Sequence, residues 1–387
     1  MNKIDPPPAQ IIRLNGDHYQ MGYQHGQQVA WLRPYIIKAV EARLAQIEQD
    51  RPDETFAALV AETAEVLRTA DPATIAFIRG QADSLELNFD WLLNYSLVSF
   101  LRDALTTRWT RPATAAGSGG PAGECTTWAA RAPVTADGQP ILVKNRDYFL
   151  EHLPLQLIAQ AEPDRGFGYI YVTSAGNPGV FVAGLNEAGL AVADTHVPCP
   201  DVGPGLPTFA LSMHLLEEHQ TVASALSYLQ ATPRLGRNNL ILADAAGQLA
   251  VFENGHSRSA VLQAENGYLV ATNHFNSAVM QACFVDTEPP ALQGNTLARY
   301  DKVQTELRAA SGRVDVALAQ QLMTSHNGPL ASLCRHPLPE SNTSTISTTI
   351  LLPARGEIHF CHGQPCQSQF QLFNLSSENQ NKAIPEK

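Results

Sequence analysis

Apolar residues recur at helical spacing through the first hundred residues of the chain. Between residues 17 and 102, Ala, Leu, Glu and Gln predominate, and this pattern predicts several stacked helices. The positions that share the spacing most clearly are Tyr35, Ile36, Ala39, Val40 and Leu44. Asp71 followed by Pro72 predicts a helix start, because an acidic N-cap and a proline in the first turn both favour one.

The pattern changes after residue 125, where short β-rich runs are separated by turn residues. The predicted strands cover residues 126–130, 141–145, 169–173, 180–184, 190–193, 240–244, 249–253 and 268–272, and a last hairpin joins 347–352 to 357–362. Helical patterns occupy residues 208–218, 222–229, 296–309 and 314–323. Helices grouped apart from antiparallel strands indicate a layered α+β fold.

A stretch without periodicity separates the two patterns. Residues 106–123 are rich in Thr, Ala, Gly and Pro, which is typical of an exposed, flexible connector. We therefore predict a helical segment at 1–105, a linker at 106–124 and a strand-rich segment at 125–387.

Composition and charge exclude several classes of function. The chain carries 26 Lys and Arg against 37 Asp and Glu, and it has no basic block, so nucleic acid is not an expected partner. The apolar stretch at 91–101 is interrupted by Asn94 and Ser96 and is shorter than the roughly 20 residues of a membrane span. The first residues have no apolar signal region, so we expect a cytoplasmic protein without membrane association.

The cysteines do not form the framework of a small secreted protein. Six cysteines are spread irregularly over the chain. Cys361 and Cys366 lie near His359 and His362, but their spacing fits neither a zinc knuckle nor a zinc ribbon. The sequence predicts no metal and no cofactor.

The most informative segment is a strand, a turn and a returning strand. Cys125 begins the first strand, Asp137-Gly138 is a strong turn signal, and Asp147 ends the second strand. Pairing of these strands would bring the thiol of Cys125 and the carboxylate of Asp147 to the same edge of a sheet. Asn145, two residues before Asp147, lies on the same strand face and is a further candidate for positioning the site.

A thiol of ordinary pKa near 8.5 needs a base at neutral pH. If the peptide bond before Cys125 were cut, the new α-amine, with a pKa of about 7.7–8.0, would lie within reach of the thiol. Cys125 would then supply both nucleophile and base, and Asp147 would orient the amine.

Several short motifs, taken in order, resemble those of the acyl-CoA:6-aminopenicillanic acid acyltransferase family. This family is related to bile salt hydrolase and penicillin V acylase in the N-terminal-nucleophile superfamily. The matching pieces are Cys125-Thr126-Thr127, Asn145-Arg146-Asp147-Tyr148, and the segments 21–26, 184–190, 272–275, 334–336 and 362–366.

The resemblance implies a four-layer αββα sandwich, made as one precursor and cut into a helical chain and a catalytic chain. It implies that Cys125 is the nucleophile, Asp147 its acidic partner and Asn273 the donor to the oxyanion. An amide donor in that place is typically worth 10²- to 10³-fold in rate.

Five positions bear on processing and on the substrate. Glu124 stands where family precursors carry Gly, and Lys144 stands where bile salt hydrolase relatives carry Arg. Beside Ser341, Asn342 occupies the position where the penicillin-forming enzymes have an Arg, so a neutral or cationic amine is favoured over a carboxylate. Ser341, Asn342 and Arg299 are candidates for substrate binding, although a structural ion pair is the commoner role for a residue such as Arg299.

We therefore expect a self-activated zymogen that cleaves a linear amide of an N-acyl amine or N-acyl amino acid through a Cys125 thioester. The acyl group passes to water or to an amine, and the expected partners are a small-molecule amide or acyl thioester and the chain's own cleaved helical piece. A homo-oligomer is left open. The alternatives are an unprocessed homologue that acts as a binding protein, motivated by Glu124, and an uncut thiol hydrolase with His274 as base.

Overall fold

The computed structural model describes residues 11–108, 125–288, 290–337 and 342–375. Five helices form the first segment: α1 (His18–Gln28), α2 (Arg33–Gln49), α3 (Glu54–Ala70), α4 (Pro72–Ser84) and α5 (Phe89–Leu101). Six more follow: α6 (Thr208–Glu218), α7 (Val222–Ala231), α8 (Ala278–Gln281), α9 (Asn295–Ala309), α10 (Val316–Met323) and α11 (Gly328–Ala331). Short 3₁₀ helices cover Ala30–Leu32, Arg102–Arg108, Leu150–Leu155 and Pro353–Arg355.

Fourteen strands form two sheets in this part of the chain. The first seven are β1 (Ile11–Gly16), β2 (Cys125–Ala130), β3 (Ile141–Phe149), β4 (Gln156–Pro163), β5 (Tyr169–Ser174), β6 (Ala183–Asn186) and β7 (Leu190–His196). The others are β8 (Asn238–Asp244), β9 (Leu249–Asn254), β10 (Ser259–Gln263), β11 (Tyr268–Ala271), β12 (Thr343–Leu352), β13 (Glu357–His362) and β14 (Phe370–Asn374).

The larger sheet has the order β1-β4-β5-β6-β7-β8-β9-β10, and the smaller sheet has the order β11-β2-β3-β12-β13-β14. Neighbouring strands are antiparallel except for β1 and β4, which run parallel over six residue pairs. The helical first segment therefore also contributes the edge strand of the larger sheet.

Three buried apolar clusters separate four layers. One lies between α1–α7 and the larger sheet, a second lies between the two sheets, and a third lies between the smaller sheet and α9 and α10. Strand β2 shows the division clearly: Ala129 faces the other sheet, whereas Trp128 and Ala130 face the helices. The predicted αββα sandwich is confirmed.

Local sequence explains the helix starts. The predicted start at Asp71 and Pro72 is confirmed, because the Asp71 carboxylate accepts a hydrogen bond from the Thr74 amide at 2.9 Å and α4 begins at Pro72. Among the described residues, no helix is both long and apolar enough to cross a lipid bilayer.

The linker prediction is only partly covered by the structure. The 3₁₀ helix continues to Arg108, beyond the predicted start of the linker at residue 106. Residues 109–124, which include Glu124 and the predicted cleavage site, lie outside the described residues, as does Ser341.

Candidate active site

Strands β2 and β3 pair as predicted and bring Cys125 next to Asp147. Cys125 lies opposite Arg146, the residue before Asp147, at one end of the smaller sheet. The backbone amide of Asp147 donates a hydrogen bond to the Cys125 sulfur. Side chains alternate along a strand, so the Cys125 side chain faces the larger sheet, whereas Asp147 faces the outer helices.

The Cys125 thiol is almost fully enclosed. Burial raises the pKa of Cys125, the charge of Lys144 opposes this change, and the charges of Asp194 and Asp147 add to it. The thiol is consequently protonated at neutral pH, and it needs a base before it can attack a carbonyl group.

Both ends of the Cys125 backbone are held by buried polar side chains. Its amide nitrogen donates to Asn273 Oδ1 at 3.0 Å, and its carbonyl oxygen accepts from Arg299 Nη1 at 2.7 Å. Arg299, on α9, also donates to Thr126 Oγ1 at 2.9 Å and to Asn273 Oδ1 at 2.8 Å. Asn295 Oδ1 accepts from the same guanidinium at 3.0 Å. This network fixes the peptide unit that carries the thiol.

The Asp147 carboxyl group has one satisfied and one unsatisfied oxygen. Thr345, directly opposite on β12, donates its hydroxyl to Asp147 Oδ1 at 2.6 Å. Oδ2 is buried and has no hydrogen-bond partner within the part of the chain that the structure describes. Burial raises the pKa of Asp147 to about 7, against the opposing effects of Arg299, Thr345 and Lys144.

Lys144 carries a buried positive charge between the sheets, on the same strand face as Arg146. Its Nζ donates to the backbone oxygens of Asp194 at 2.6 Å and of Val182 at 3.3 Å, and it forms an ion pair with the Asp194 carboxylate. Asp194, on β7, is a candidate site residue that the sequence did not reveal. An acidic residue after the apolar run 190–193 was the available signal, but its partner depends on how the two sheets stack.

Asn273 combines a structural role with a free donor. Its Nδ2 donates to the His196 carbonyl at 2.7 Å, and its backbone amide donates to Thr296 Oγ1 at 2.8 Å. The second Nδ2 hydrogen has no acceptor among the described residues, so it is available to a group outside the protein chain.

Asn145 is fully engaged away from Cys125. Its amide donates to the carbonyls of Met323 at 3.1 Å and Leu333 at 2.7 Å, and it accepts from Thr348 Oγ1 at 2.6 Å. The side chain thus ties β3 to α10 and to the segment after α11.

His274 is also occupied by other partners. Its Nδ1 lies 3.0 Å from both Thr272 Oγ1 and Thr296 Oγ1, and its Nε2 lies 3.1 Å from Asn276 Oδ1. Burial lowers the pKa of His274. Within the described ranges, no hydrogen bond joins this ring to Cys125.

Asn342 is exposed and lies directly before β12. Its Nδ2 donates to Glu151 Oε1 at 2.7 Å, and its carbonyl accepts from the Leu150 amide at 3.0 Å. The sequence candidates therefore form an inner group of Cys125, Lys144, Asp147, Asn273 and Arg299, with Asn342 outside it.

Comparison with known proteins places this geometry in a family. Residues 134–367 match the profile of the family described as acyl-coenzyme A:6-aminopenicillanic acid acyl-transferase. No curated protein sequence matches the chain.

Solved structures similar to this chain come from bacteria and an animal. A mutant conjugated bile acid hydrolase from Clostridium perfringens has 13% identity and a TM-score of 0.49, covering 66% of this chain and 93% of that chain. The N-acylethanolamine-hydrolyzing acid amidase ortholog of Caenorhabditis elegans has 16% identity and a TM-score of 0.41, covering 59% and 93%. Penicillin V acylase from Agrobacterium tumefaciens has 15% identity and a TM-score of 0.40, covering 62% and 83%.

The matched residues make up more than half of the chain and include Asp147, Lys144, Asn273 and Arg299. The chain therefore belongs to the acyl-coenzyme A:6-aminopenicillanic acid acyl-transferase family, and it is an amide hydrolase or acyltransferase.

Proposed function

We propose that the bond between Glu124 and Cys125 is cut, and that the new N-terminal Cys125 then attacks a linear amide of an N-acyl amine or N-acyl amino acid. The family match begins downstream of Cys125, so geometry carries this assignment. The observation that supports it most is the anchoring of the Cys125 backbone nitrogen on Asn273 at 3.0 Å, beside a thiol that accepts from the Asp147 amide.

The α-amine is the base in this proposal. Burial raises the pKa of the Cys125 thiol, whereas a free α-amine has an ordinary pKa of about 7.7–8.0 and is partly deprotonated near neutral pH. The amine takes the Sγ proton, and the resulting thiolate attacks the amide carbon. The unpartnered Oδ2 of Asp147 is the acceptor that we assign to the new ammonium group.

The remaining steps follow from the same groups. The second Nδ2 hydrogen of Asn273 stabilises the oxyanion that forms on the carbonyl oxygen. The ammonium of Cys125 returns its proton to the leaving amine, and a thioester remains on Sγ. Water then attacks the thioester and releases the acid, or an amine attacks and receives the acyl group. Hydrolysis is the favoured outcome.

Two cations prepare the site. Arg299 bonds to the Cys125 carbonyl and to Asn273, so we assign it a positioning role and not the substrate contact expected from the sequence. Lys144 opposes the rise in the thiol pKa caused by burial, which favours thiolate when the amine removes the proton.

Intact mass spectrometry with activity assays tests the proposal. We expect the wild-type chain to appear as two pieces separated between Glu124 and Cys125, and Cys125→Ala to remain one inactive piece. Cys283→Ser, at another buried cysteine outside the hydrogen-bond network of Cys125, is the matched control and should be cut and active.

Two other results would overturn the proposal in different ways. One uncut but active wild-type chain would favour the thiol hydrolase with His274 as base. An uncut and inactive chain would favour the binding protein. The engagement of both His274 ring nitrogens by other groups argues against the first of these.

We further propose that the leaving half of the substrate is a neutral or cationic amine. Asn342, which is exposed, provides no positive charge for a carboxylate, and its amide already donates to Glu151. A panel that compares acylated amines with acylated amino acids tests this point. Turnover of the acylated amino acids alone would show the assignment to be wrong.

A further inference from the structure

Four side chains with metal-binding atoms meet beside the active site. They are His326, Cys334, His336 and Cys366, which we call the Cys2His2 cluster, and all four potential ligand atoms lie within 4.8 Å of one another. His326 follows α10, Cys334 and His336 follow α11, and Cys366 follows β13. Three separate segments therefore converge on one point at the protein surface.

Of four distances between potential ligand atoms in the cluster, two fall in the range expected around a tetrahedral zinc ion and two fall just outside it. Zn–S bonds of about 2.3 Å and Zn–N bonds of about 2.0–2.1 Å place neighbouring ligand atoms about 3.3–3.8 Å apart. The two sulfurs are 3.5 Å apart, and Cys366 Sγ lies 3.3 Å from His336 Nε2. Cys334 Sγ lies 4.0 Å from the same nitrogen, and the two histidine Nε2 atoms are 3.0 Å apart.

Simpler interpretations account for less of this arrangement. A disulfide between Cys334 and Cys366 would need its sulfurs about 2.05 Å apart, and it would give the two imidazoles no reason to converge on the same point. A network of hydrogen bonds would pair two imidazole nitrogens and two weak thiol donors at an exposed surface, where water competes for each of them. A soft divalent cation satisfies all four groups together.

We propose that His326, Cys334, His336 and Cys366 bind one Zn²⁺ ion with tetrahedral geometry. The two thiols lose their protons to solvent on binding, and the two imidazoles bind through Nε2 as neutral ligands. Four protein ligands leave no open position for water or substrate, so the ion is structural. No metal was predicted from the sequence, because Cys366 was compared only with its neighbours in the chain. Its partners in the cluster lie thirty or more positions away.

The ion would also support Asp147, a consequence that rests on the proposed function. Arg335 lies between the ligands Cys334 and His336, and its backbone is bonded to Thr345 in both directions. The Arg335 amide donates to Thr345 Oγ1 at 2.8 Å, and the Thr345 amide donates to the Arg335 carbonyl at 3.1 Å. Thr345 in turn donates to Asp147 at 2.6 Å. The ion therefore fixes the segment that orients the carboxylate.

Metal analysis of the full chain tests the site independently of catalysis. The protein is purified without chelators, dialysed against metal-free buffer and analysed for zinc by inductively coupled plasma mass spectrometry. We expect about one zinc per wild-type chain and a loss of about tenfold or more in Cys366→Ser and His326→Ala, both at exposed positions. Cys366→His keeps a ligand and should retain the ion.

Cys361→Ala is the matched control, because Cys361 lies near Cys366 but outside the cluster, and this variant should keep its zinc. Wild-type protein without zinc, with a mass lower by two hydrogens, would identify a disulfide and overturn the proposal. Equal zinc in wild type and Cys366→Ser would identify adventitious binding and also overturn it.

Cobalt substitution and kinetics separate the ion from the reaction. Co²⁺ in the wild-type site should give the visible bands of a tetrahedral ion with thiolate charge transfer, and Cys334→Ser should lose part of them. His326→Ala should lower kcat by about tenfold with little change in KM. Zinc loss in this variant without any change in kcat would refute the link to Asp147 and leave the metal site intact, whereas failure of chain cleavage alone would bear on the proposed function.

Discussion

At the scale of single residues, the site concentrates buried polar groups that the fold does not fully satisfy. Asp147 is the clearest case, because one of its oxygens is buried without a partner in the described segments and its pKa is raised to about 7. A carboxylate kept in such an environment costs stability at neutral pH, and functional sites are where this cost is commonly found.

This cost predicts a pH-dependent effect of Asp147→Asn on the uncut Cys125→Ala protein. The pKa of Asp147 is higher in the folded than in the unfolded protein. The favourable contribution of this carboxyl group to the free energy of unfolding is therefore present below about pH 4 and is lost as the pH rises through about 7. Asp147→Asn changes the free energy of unfolding by a different amount at each pH. We expect this change to be about 1–3 kcal/mol more positive at pH 8 than at pH 4. Urea denaturation at the two pH values measures it, and an effect independent of pH would argue against a buried charge.

The free hydrogen on Asn273 predicts a selective loss of rate. Asn273→Ala, assayed on whatever fraction of the chain is cut, should lower kcat by about 10²- to 10³-fold with little change in KM, because the donor acts on the oxyanion. Asn276→Ala is the informative companion, since it removes the partner of His274 Nε2. A comparable loss of kcat in that variant would point to His274 as the base instead.

At the scale of elements, two glycines set the contact between α1 and α4. A Cβ on Gly22 would lie 2.0 Å from the Phe77 carbonyl oxygen, and a Cβ on Gly80 would lie 2.1 Å from the Tyr19 carbonyl oxygen. Each glycine faces the backbone of the other helix, which cannot move aside as a flexible side chain can. This contact explains why Gly22 belongs to the motif at 21–26.

Gly22→Ala should therefore destabilise the protein, although alanine is the better helix former. Helix propensity alone would favour alanine by about 1 kcal/mol, whereas overpacking of a close helix contact costs about 1–3 kcal/mol or more. We expect a net loss of about 2 kcal/mol in the free energy of unfolding. Thermal unfolding compared with Gln27→Ala, at an exposed position of the same helix, measures it, and a stabilised Gly22→Ala would contradict the packing argument.

The sequence predicted the elements whose pattern is local and missed those whose partners are distant. Strands β2, β3, β12 and β13 were found, and the strand predicted at 180–184 begins instead at Ala183. Strands β1, β4, β10 and β14 were missed. In β4 the apolar run is broken by the buried Gln156 and Gln160. They are buried because they bond to Arg146 and Arg13 from other strands, which local sequence does not show.

The residues of the candidate site divide in the same way, into those with a local signal and those whose partners are distant in the chain. Cys125, Asp147 and Asn273 were predicted from a strand–turn–strand pattern and an ordered set of motifs. Asp194 and Thr345 were not, because their importance comes from facing Lys144 and Asp147 after the sheets have stacked and β12 has paired with β3. Sheet stacking is a property of the whole chain, which no short motif records.

At the scale of the whole molecule, the helical segment and the strand-rich segment form one body. They share the apolar cluster between α1–α7 and the larger sheet. Ion pairs also cross between them, among them His18–Glu217 at 3.0 Å, Asp71–His214 at 3.3 Å and Asp103–Arg237 at 3.3 Å. Burial keeps these pairs from being weakened by salt as surface pairs are.

A cut before Cys125 should therefore leave the two pieces associated. With an affinity tag on the helical piece, we expect the catalytic piece to co-purify in equal amount and to separate only in denaturant. Electrophoresis of the eluted protein measures the ratio, and Cys125→Ala provides the uncut reference. Recovery of the helical piece alone under native conditions would contradict this expectation.

The parallel pairing of β1 with β4 gives the helical piece a second structural role besides packing on the larger sheet. Without β1, the outer side of β4 would present a row of unpaired amide and carbonyl groups at residues 156–163, open to strand addition by any extended chain. The helical piece, which stays associated after the cut, would thus keep this sheet edge paired. Activation of such an enzyme would be irreversible. A catalytic piece that lost β1 would expose this strand edge and would aggregate before another helical piece could bind.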